Sequence, residues 1–365
     1  MNGRSDKLHT ALLTLLRSGL WERELDNSSC FPLSEDDWEM LFTMSRQQTV
    51  TGIVFQGLQY LPDGMFPPET LLIRWTAEVD AIERRNRKMN RVLSELYTLF
   101  HSKGLNPVLQ KGQGVAQFYP KPLLRECGDI DLYFNNREAQ EEATACVRSC
   151  GITVKKMPDE SSCYLWKGIE VEHHVRLFDL YTPFLKRYTD GLESEKGFEF
   201  IMLQDLELFA MIPTPFLNLL LLDLHILKHV LGWGIGLRQL CDMACACYQL
   251  YREIDSEEMR TTCRKLGLGR WNPLLHIFLK EHLGLPEHSL PYSEMAPTAQ
   301  PLWDIVWRGG NFGYQLVNRQ QTGNSAWKRK MRTACSFIQN QRFALRYAPQ
   351  EAFWIFTGLL KGQLK

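Results

Sequence analysis

Two aspartates, Asp129 and Asp131, stand one residue apart in the run RECGDIDLYF over residues 125–134. Leu132, Tyr133 and Phe134 predict a strand there, although acidic residues are poor strand formers. Alternate side chains of a strand share a face, so both carboxylates point the same way around Ile130. Like charges so placed repel unless a cation neutralises them. Oxygen-only ligands suit Mg²⁺ or Mn²⁺, which take one or two carboxylates together with substrate phosphates. The plainer reading is a pair of solvated acids at a strand start.

Two neighbouring stretches favour the metal. Upstream, LQKGQGVAQFY predicts a strand, a turn through Gly112 and Gly114, and a helix. Backbone N–H groups at such a turn can hold a phosphate, with Lys111 adjacent. Downstream, IEVEHHVRL alternates, so that Glu170, Glu172, His174 and Arg176 share one face and Val171, Val175 and Leu177 the other. A third carboxylate next to Asp129 and Asp131 completes a two-metal cluster. Lys111 and Arg125 are candidate phosphate cations; the alternative for Arg125 is a surface ion pair with Glu126 or a neighbour.

A further set lies in DLHILKHVLGW, where His225, Lys228 and His229 fall on one helical stripe. Lys228 facing a groove can bind a phosphate. Arg238 and Asp242, four apart on the following helix, predict an internal ion pair; the sharper alternative has Lys228 and Asp242 gripping a nucleotide. Cys241, Cys245 and Cys247 lack zinc-ligand spacing and read as small core residues.

The order KG-x-G, then YP, LLR and GDIDLYF, then an acid two residues before a histidine, resembles the DNA polymerase β-like nucleotidyltransferase superfamily. It is most similar to a bacterial uncharacterised nucleotidyltransferase family, over roughly residues 105–245. The resemblance implies Asp129 and Asp131 as metal ligands, Glu172 as the third carboxylate in preference to Glu170, and Gly112 as the glycine of the nucleotide loop. Gln113 and Gly128 join the nucleotide-binding set. Gln113 is a departure, because many members have Gly-Ser in that loop. The implied reaction moves a nucleoside monophosphate from a nucleoside triphosphate, such as ATP, to a hydroxyl of a small molecule, sugar or protein. Two alternatives stand beside it: an inactive nucleotide-binding or scaffold module of the same fold, and a metal-dependent phosphohydrolase using the same acids.

The elements that must position these residues follow from the hydrophobic pattern. Residues 1–103 read as helical, with Ser34 and Asp37 resembling a capping box and a long helix running from Pro67-Pro68 to His101. Its apolar seam, Trp75 to Phe100, steps by three and four. Arg84–Lys88 on that helix reads as a solvated face, with phosphate contact as the alternative. Residues 104–200 predict a small mixed α/β core, and 201–365 a second helical region that opens with a buried apolar helix near 213–231. The fold class is therefore α+β, a small mixed-sheet core between large helical regions. From about residue 290 the chain is aromatic, basic and helical, with no chemistry of its own.

Lysine plus arginine equals aspartate plus glutamate at 42 each among 365 residues, so no global field announces long nucleic acid or an anionic membrane. The apolar stretch 215–233 carries Asp223, His225, Lys228 and His229 and predicts a core helix rather than a membrane span. Ten scattered cysteines in a chain large enough to build its own core predict reduced thiols and a cytoplasmic protein.

Overall fold

The structure is a computed structural model that describes residues 3–157, 159–203, 208–232, 234–309 and 341–360. Helices α1 (Gly3–Trp21), α2 (Glu35–Gln47), α3 (Thr51–Leu58) and α4 (Glu69–His101) precede the sheet. Ser34 caps α2 by accepting a hydrogen bond from the Asp37 amide at 3.2 Å, as the capping pattern predicts. Asp37 does not complete the box by reaching back; its carboxylate takes Arg4 instead, at 2.6 Å. Helices α1 and α3 cross backbone to backbone. A Cβ on Gly57 would lie 2.0 Å from the Leu15 carbonyl oxygen, so only glycine permits this approach.

The sheet has seven strands: β1 (Val108–Gln110), β2 (Ile130–Tyr133), β3 (Lys155–Lys156), β4 (Ser162–Trp166), β5 (Ile169–His174), β6 (Phe198–Leu203) and β7 (Leu208–Pro213). Their order is β3-β4-β5-β2-β1-β7-β6. β2 sits at the centre, antiparallel to β1 and parallel to β5. This is the expected mixed sheet, extended past residue 200: β7 lies where the sequence pattern suggests returning helix. Short apolar runs such as LFAMIP read alike as strand or helix, and pairing with β1 and β6 decides between them.

One face of the sheet is dry. Met89, Val92, Leu93, Leu96, Tyr97 and Phe100 of α4 pack there on Leu109, Ile130, Leu132 and Phe134, with Ala143 and Val147 of α6 (Arg137–Ser149). The seam read from the sequence is thus divided: from Met89 onward it covers the sheet, while Trp75 and Val79 pack in the helical core. Past the sheet come α8 (Pro215–Gly232), α9 (Leu237–Leu250), α10 (Ser256–Lys265), α11 (Trp271–Leu283), α12 (Gln300–Gly309) and a terminal helix Pro349–Leu360. Among the described residues α8 alone is long and apolar enough to cross a membrane, and 78% of that stretch is buried inside the protein. Of the aromatic, basic stretch after 290, residues 310–340 and 361–365 lie outside the described residues.

Candidate active site

The pleat of β2 and β5 sorts the chemistry. In the parallel register Asp131 stands beside Glu172, and Tyr133 beside His174. Ile130, Leu132 and Val171, offset by one, are buried on the α4 side. The two adjacent histidines divide the same way. His173 is fully buried, with its Nε2 2.8 Å from the Tyr164 hydroxyl, and burial pushes its pKa down to about 3. His174 faces the opposite side, where its Nε2 lies 2.8 Å from Asp131 Oδ1 and 3.4 Å from Glu172 Oε2.

A cleft of about 200 Å³ opens on that side. Its sheet wall carries Lys111, Gly112, Gly128, Asp129, Asp131, Glu172 and His174; the opposite wall, from α8 and α9, carries His225, Lys228, His229, Arg238 and Asp242. Arg125 also reaches it. The residues singled out in the sequence therefore converge on one cavity, with three exceptions. Gln113 points into the core, where its amide donates to Asn90 at 2.6 Å and its oxygen accepts from the Cys127 thiol at 2.8 Å. Arg176 lies beyond the end of β5 and pairs in solvent with Glu160 at 3.4 Å. Glu170 shares the face of Glu172 but stands exposed outside the cleft, where it takes the Cys163 thiol at 3.2 Å, with its carboxylate within 4.8 Å of that of Glu172.

The electrostatics of the sheet wall are those of an under-neutralised anion cluster. Burial pushes the Asp131 carboxyl up, but Lys111, 3.4 Å away, and His174 outweigh it and hold Asp131 well below the usual carboxylate range. Asp129 moves the other way: the negative charge of Asp131, then burial, push it up. Burial, with the charges of Asp131 and Asp129, pushes Glu172 up as well, although His174 works against this. Burial works against a charged His174, yet its bond to Asp131 raises its pKa. Ligand atoms of Asp131, Glu172 and His174 all lie within 4.8 Å of one another. The carboxylates of Asp131 and Glu172, with Asp129 adjoining, form an oxygen donor set that fits Mg²⁺ or Mn²⁺, while the His174 imidazole is engaged with Asp131.

The loop entering β2 is held from three directions. Lys111 adopts φ +44°, a region rare for any residue with a Cβ, and Gly112 follows at φ +41°. A Cβ on Gly112 would sit 3.4 Å from the Asp129 carbonyl oxygen. The helix after it, α5 (Gly112–Ala116), is a single turn and contributes little macrodipole. Arg85 donates to the Gly128 carbonyl at 2.7 Å, and Asn86 to the carbonyls of Leu123 and Arg125 at 2.6 and 2.8 Å. Two of the five residues of the run Arg84–Lys88 thus support the loop. Arg84 and Arg87 are the solvated residues the sequence suggests, paired with Asp80 and Glu83.

Arg125 is the larger surprise. It is buried and makes a two-pronged pair with Asp242 of α9, both bonds at 2.7 Å; Tyr119 donates to the same carboxylate at 2.6 Å. Neither a surface pair with Glu126 nor an Arg238–Asp242 pair forms. Arg238 instead donates to the Glu126 carbonyl at 2.8 Å. On the helical wall Lys228 meets Asp179 at 2.5 Å, and the Nε2 atoms of His225 and His229 approach to 3.1 Å. Burial, then neighbouring cations, push His229 down to about 3, so both imidazoles are neutral.

Sequence reasoning missed Asp159, Asp179 and Gln239, which also line the cleft. No periodic signal marks them. Gln110 was legible in principle: its register places it beside Asp131 on β1, and its buried Nε2 meets no acceptor.

A family model described as "uncharacterised nucleotidyltransferase" matches residues 34–284, which hold the sheet, α8, α9 and every residue of the cleft named above. The chain belongs to that family. Nucleotidyltransferase is accordingly the class of enzyme to which the chain is assigned. Among solved structures it is similar to the crystal structure of an antigenic nucleotidyltransferase-like protein from Paracoccidioides brasiliensis, at 16% identity and a TM-score of 0.33, covering 54% of this chain and 92% of that one. No curated protein matches the chain. The family implies an NTP donor.

Proposed function

We propose that this nucleotidyltransferase is metal-dependent and moves a nucleoside monophosphate from an NTP to a hydroxyl of a small molecule, sugar or protein, on a polymerase β-like core. The observation that carries the reading is the convergence of Asp129, Asp131 and Glu172 on one cleft wall, with Asp129 pushed up chiefly by the charge of Asp131 and Glu172 chiefly by burial. Such a cluster is stable in its ionised form only with added positive charge. Asp129, Asp131 and Glu172 are the residues that would hold Mg²⁺ or Mn²⁺. A cation held there would supply Lewis-acid chemistry, lowering the pKa of an attacking hydroxyl and offsetting charge on the leaving pyrophosphate.

The remaining work falls to the chain itself. His174 and Lys111 fix the Asp131 carboxylate in one orientation and keep it ionised. Gly112 lets the backbone approach a phosphate without a Cβ in the way. Lys228 and Arg238 offer cationic groups to the triphosphate from the helical wall. Glu172 serves this set better than Glu170, because it lines the cleft beside Asp131 while Glu170 is exposed outside it. The test is transfer of label from an α-³²P nucleotide to an acceptor panel with Mg²⁺ present. Asp129→Asn and Asp131→Asn should abolish it; release of inorganic phosphate in place of pyrophosphate would mark a phosphohydrolase.

One observation favours a nucleotide-binding module without catalysis: Gln113, in the position of the loop serine of many relatives, is committed to Asn90 and Cys127. Calorimetry separates the two. A module binds nucleotide equally well with both aspartates replaced by asparagine and turns nothing over.

A further inference from the structure

The terminal helix Pro349–Leu360 lies beyond the family-matched residues 34–284, yet it reaches the cleft indirectly. Glu351, only 5% exposed, accepts from the Tyr181 amide at 2.8 Å and the Thr182 amide at 3.1 Å, and also from the Thr182 hydroxyl. Trp354, one turn on, packs edge-to-face on Phe184 at 5.6 Å. The same helix buries Ala352 and Ile355 in the main core. Buried carboxylates are costly unless their oxygens are satisfied. This one is satisfied almost wholly by the loop 179–182, whose first residue is Asp179. Asp179 in turn takes the Lys228 ammonium at 2.5 Å on the helical wall of the cleft.

We propose that Glu351 is a positioning residue: it fixes the 179–182 loop so that Asp179 holds Lys228 extended toward the triphosphate of the donor. The inference rests on the nucleotidyltransferase reading only for the identity of the anion. Lysine has four rotatable side-chain bonds and loses much freedom when held, so a preset Lys228 binds an anion without that entropic cost at the moment of binding. The device also explains why a carboxylate stands at Glu351. Two adjacent backbone N–H groups and a hydroxyl need acceptors only, and an amide would set its own N–H₂ against one of them.

The first test needs no nucleotide. Competitive acylation of lysines, read by mass spectrometry, should label Lys228 about threefold faster or more in Glu351→Gln than in the unaltered chain, and hydrogen exchange of residues 179–182 should speed by about tenfold, as loss of a buried charged hydrogen bond implies. Asp179→Asn, a change on an exposed loop, should speed Lys228 labelling equally, and the double variant should be no faster than either. Unchanged labelling in Glu351→Gln with faithful folding, or additive effects in the double variant, overturns the tether. The second test uses calorimetry with ATP and Mg²⁺. Glu351→Gln should alter affinity about fivefold in the natural background and less than twofold once Lys228 is alanine. A purely structural role would leave the effect undiminished without Lys228. If the unaltered chain binds no nucleotide, the nucleotidyltransferase reading fails while the labelling result still decides the tether.

Discussion

The two walls of the cleft carry similar numbers of charged groups and use them differently. On the helical wall the buried carboxylate is closed off: Asp242 receives two bonds from Arg125 and one from Tyr119. On the sheet wall Asp129, Asp131 and Glu172 share one lysine and one histidine. A matched pair holds structure together, and its charges are already spent. An unmatched cluster keeps an appetite for cations, and that appetite is chemistry. The contrast teaches that burial of an aspartate says little by itself. Asp131 and Asp242 are 8% and 5% exposed at the side chain, and their partners assign them different roles.

The strongest way to break the comparison is to neutralise one aspartate on each wall. Asp131→Asn should lower nucleotidyl transfer by roughly a thousandfold, the equivalent of about 4 kcal/mol of lost charge stabilisation, with little change in thermal stability. Pyrophosphate release by single-turnover assay measures it; activity within tenfold of the unaltered chain would remove the cluster from the reaction. Arg125→Ala, by contrast, should cost about 3–5 kcal/mol of folding stability, because Asp242 is left buried and unpaired. Urea unfolding reports this, and the joint change Arg125→Met with Asp242→Leu should recover most of the loss.

Along β5, Glu172→Gln should weaken Mg²⁺ binding far more than Glu170→Gln, which calorimetry can rank; equal effects would mean that the cluster extends along the strand to Glu170. The pH dependence follows from Asp129 and Glu172, both raised above the ordinary carboxylate value of about 4. A carboxyl raised in the folded state favours folding while protonated. That contribution is complete below its unfolded value and is lost as pH rises through the folded one. The metal reverses the preference, since it binds the ionised form. Mg²⁺ affinity should therefore climb with pH across the range just above 4, and Asp131→Asn should shift the climb to lower pH by removing the charge that raises Asp129. A flat profile would show that Asp129 and Glu172 are not displaced. The smallest effect belongs to Lys228→Ala, which should weaken triphosphate binding by roughly fivefold, about 1 kcal/mol.

Much of this was written locally in the chain. Alternation in DIDLYF and IEVEHHVRL put Asp131, Glu172 and His174 on one face, because a pleated strand offers no other choice. The i, i+3, i+4 spacing of His225, Lys228 and His229 put them on one stripe for the same kind of reason. Apolar periodicity likewise marked the α4 seam and the buried α8. Partner choice was not written locally. Arg125 and Asp242 are 117 residues apart, and only the docking of α9 against the loop before β2 makes them a pair. Arg85 and Asn86 look like any solvated run until that loop crosses them, and β7 became a strand because β1 and β6 offered it hydrogen bonds. Glu351 reaches Tyr181 across 170 residues, and Lys228 reaches Asp179 across 49, with no periodic signal at all. The sequence determined which face each reactive group takes, since that depends on backbone geometry alone. The tertiary structure decided which charges are neutralised and which are left to bind a ligand, since that depends on what folds back against them.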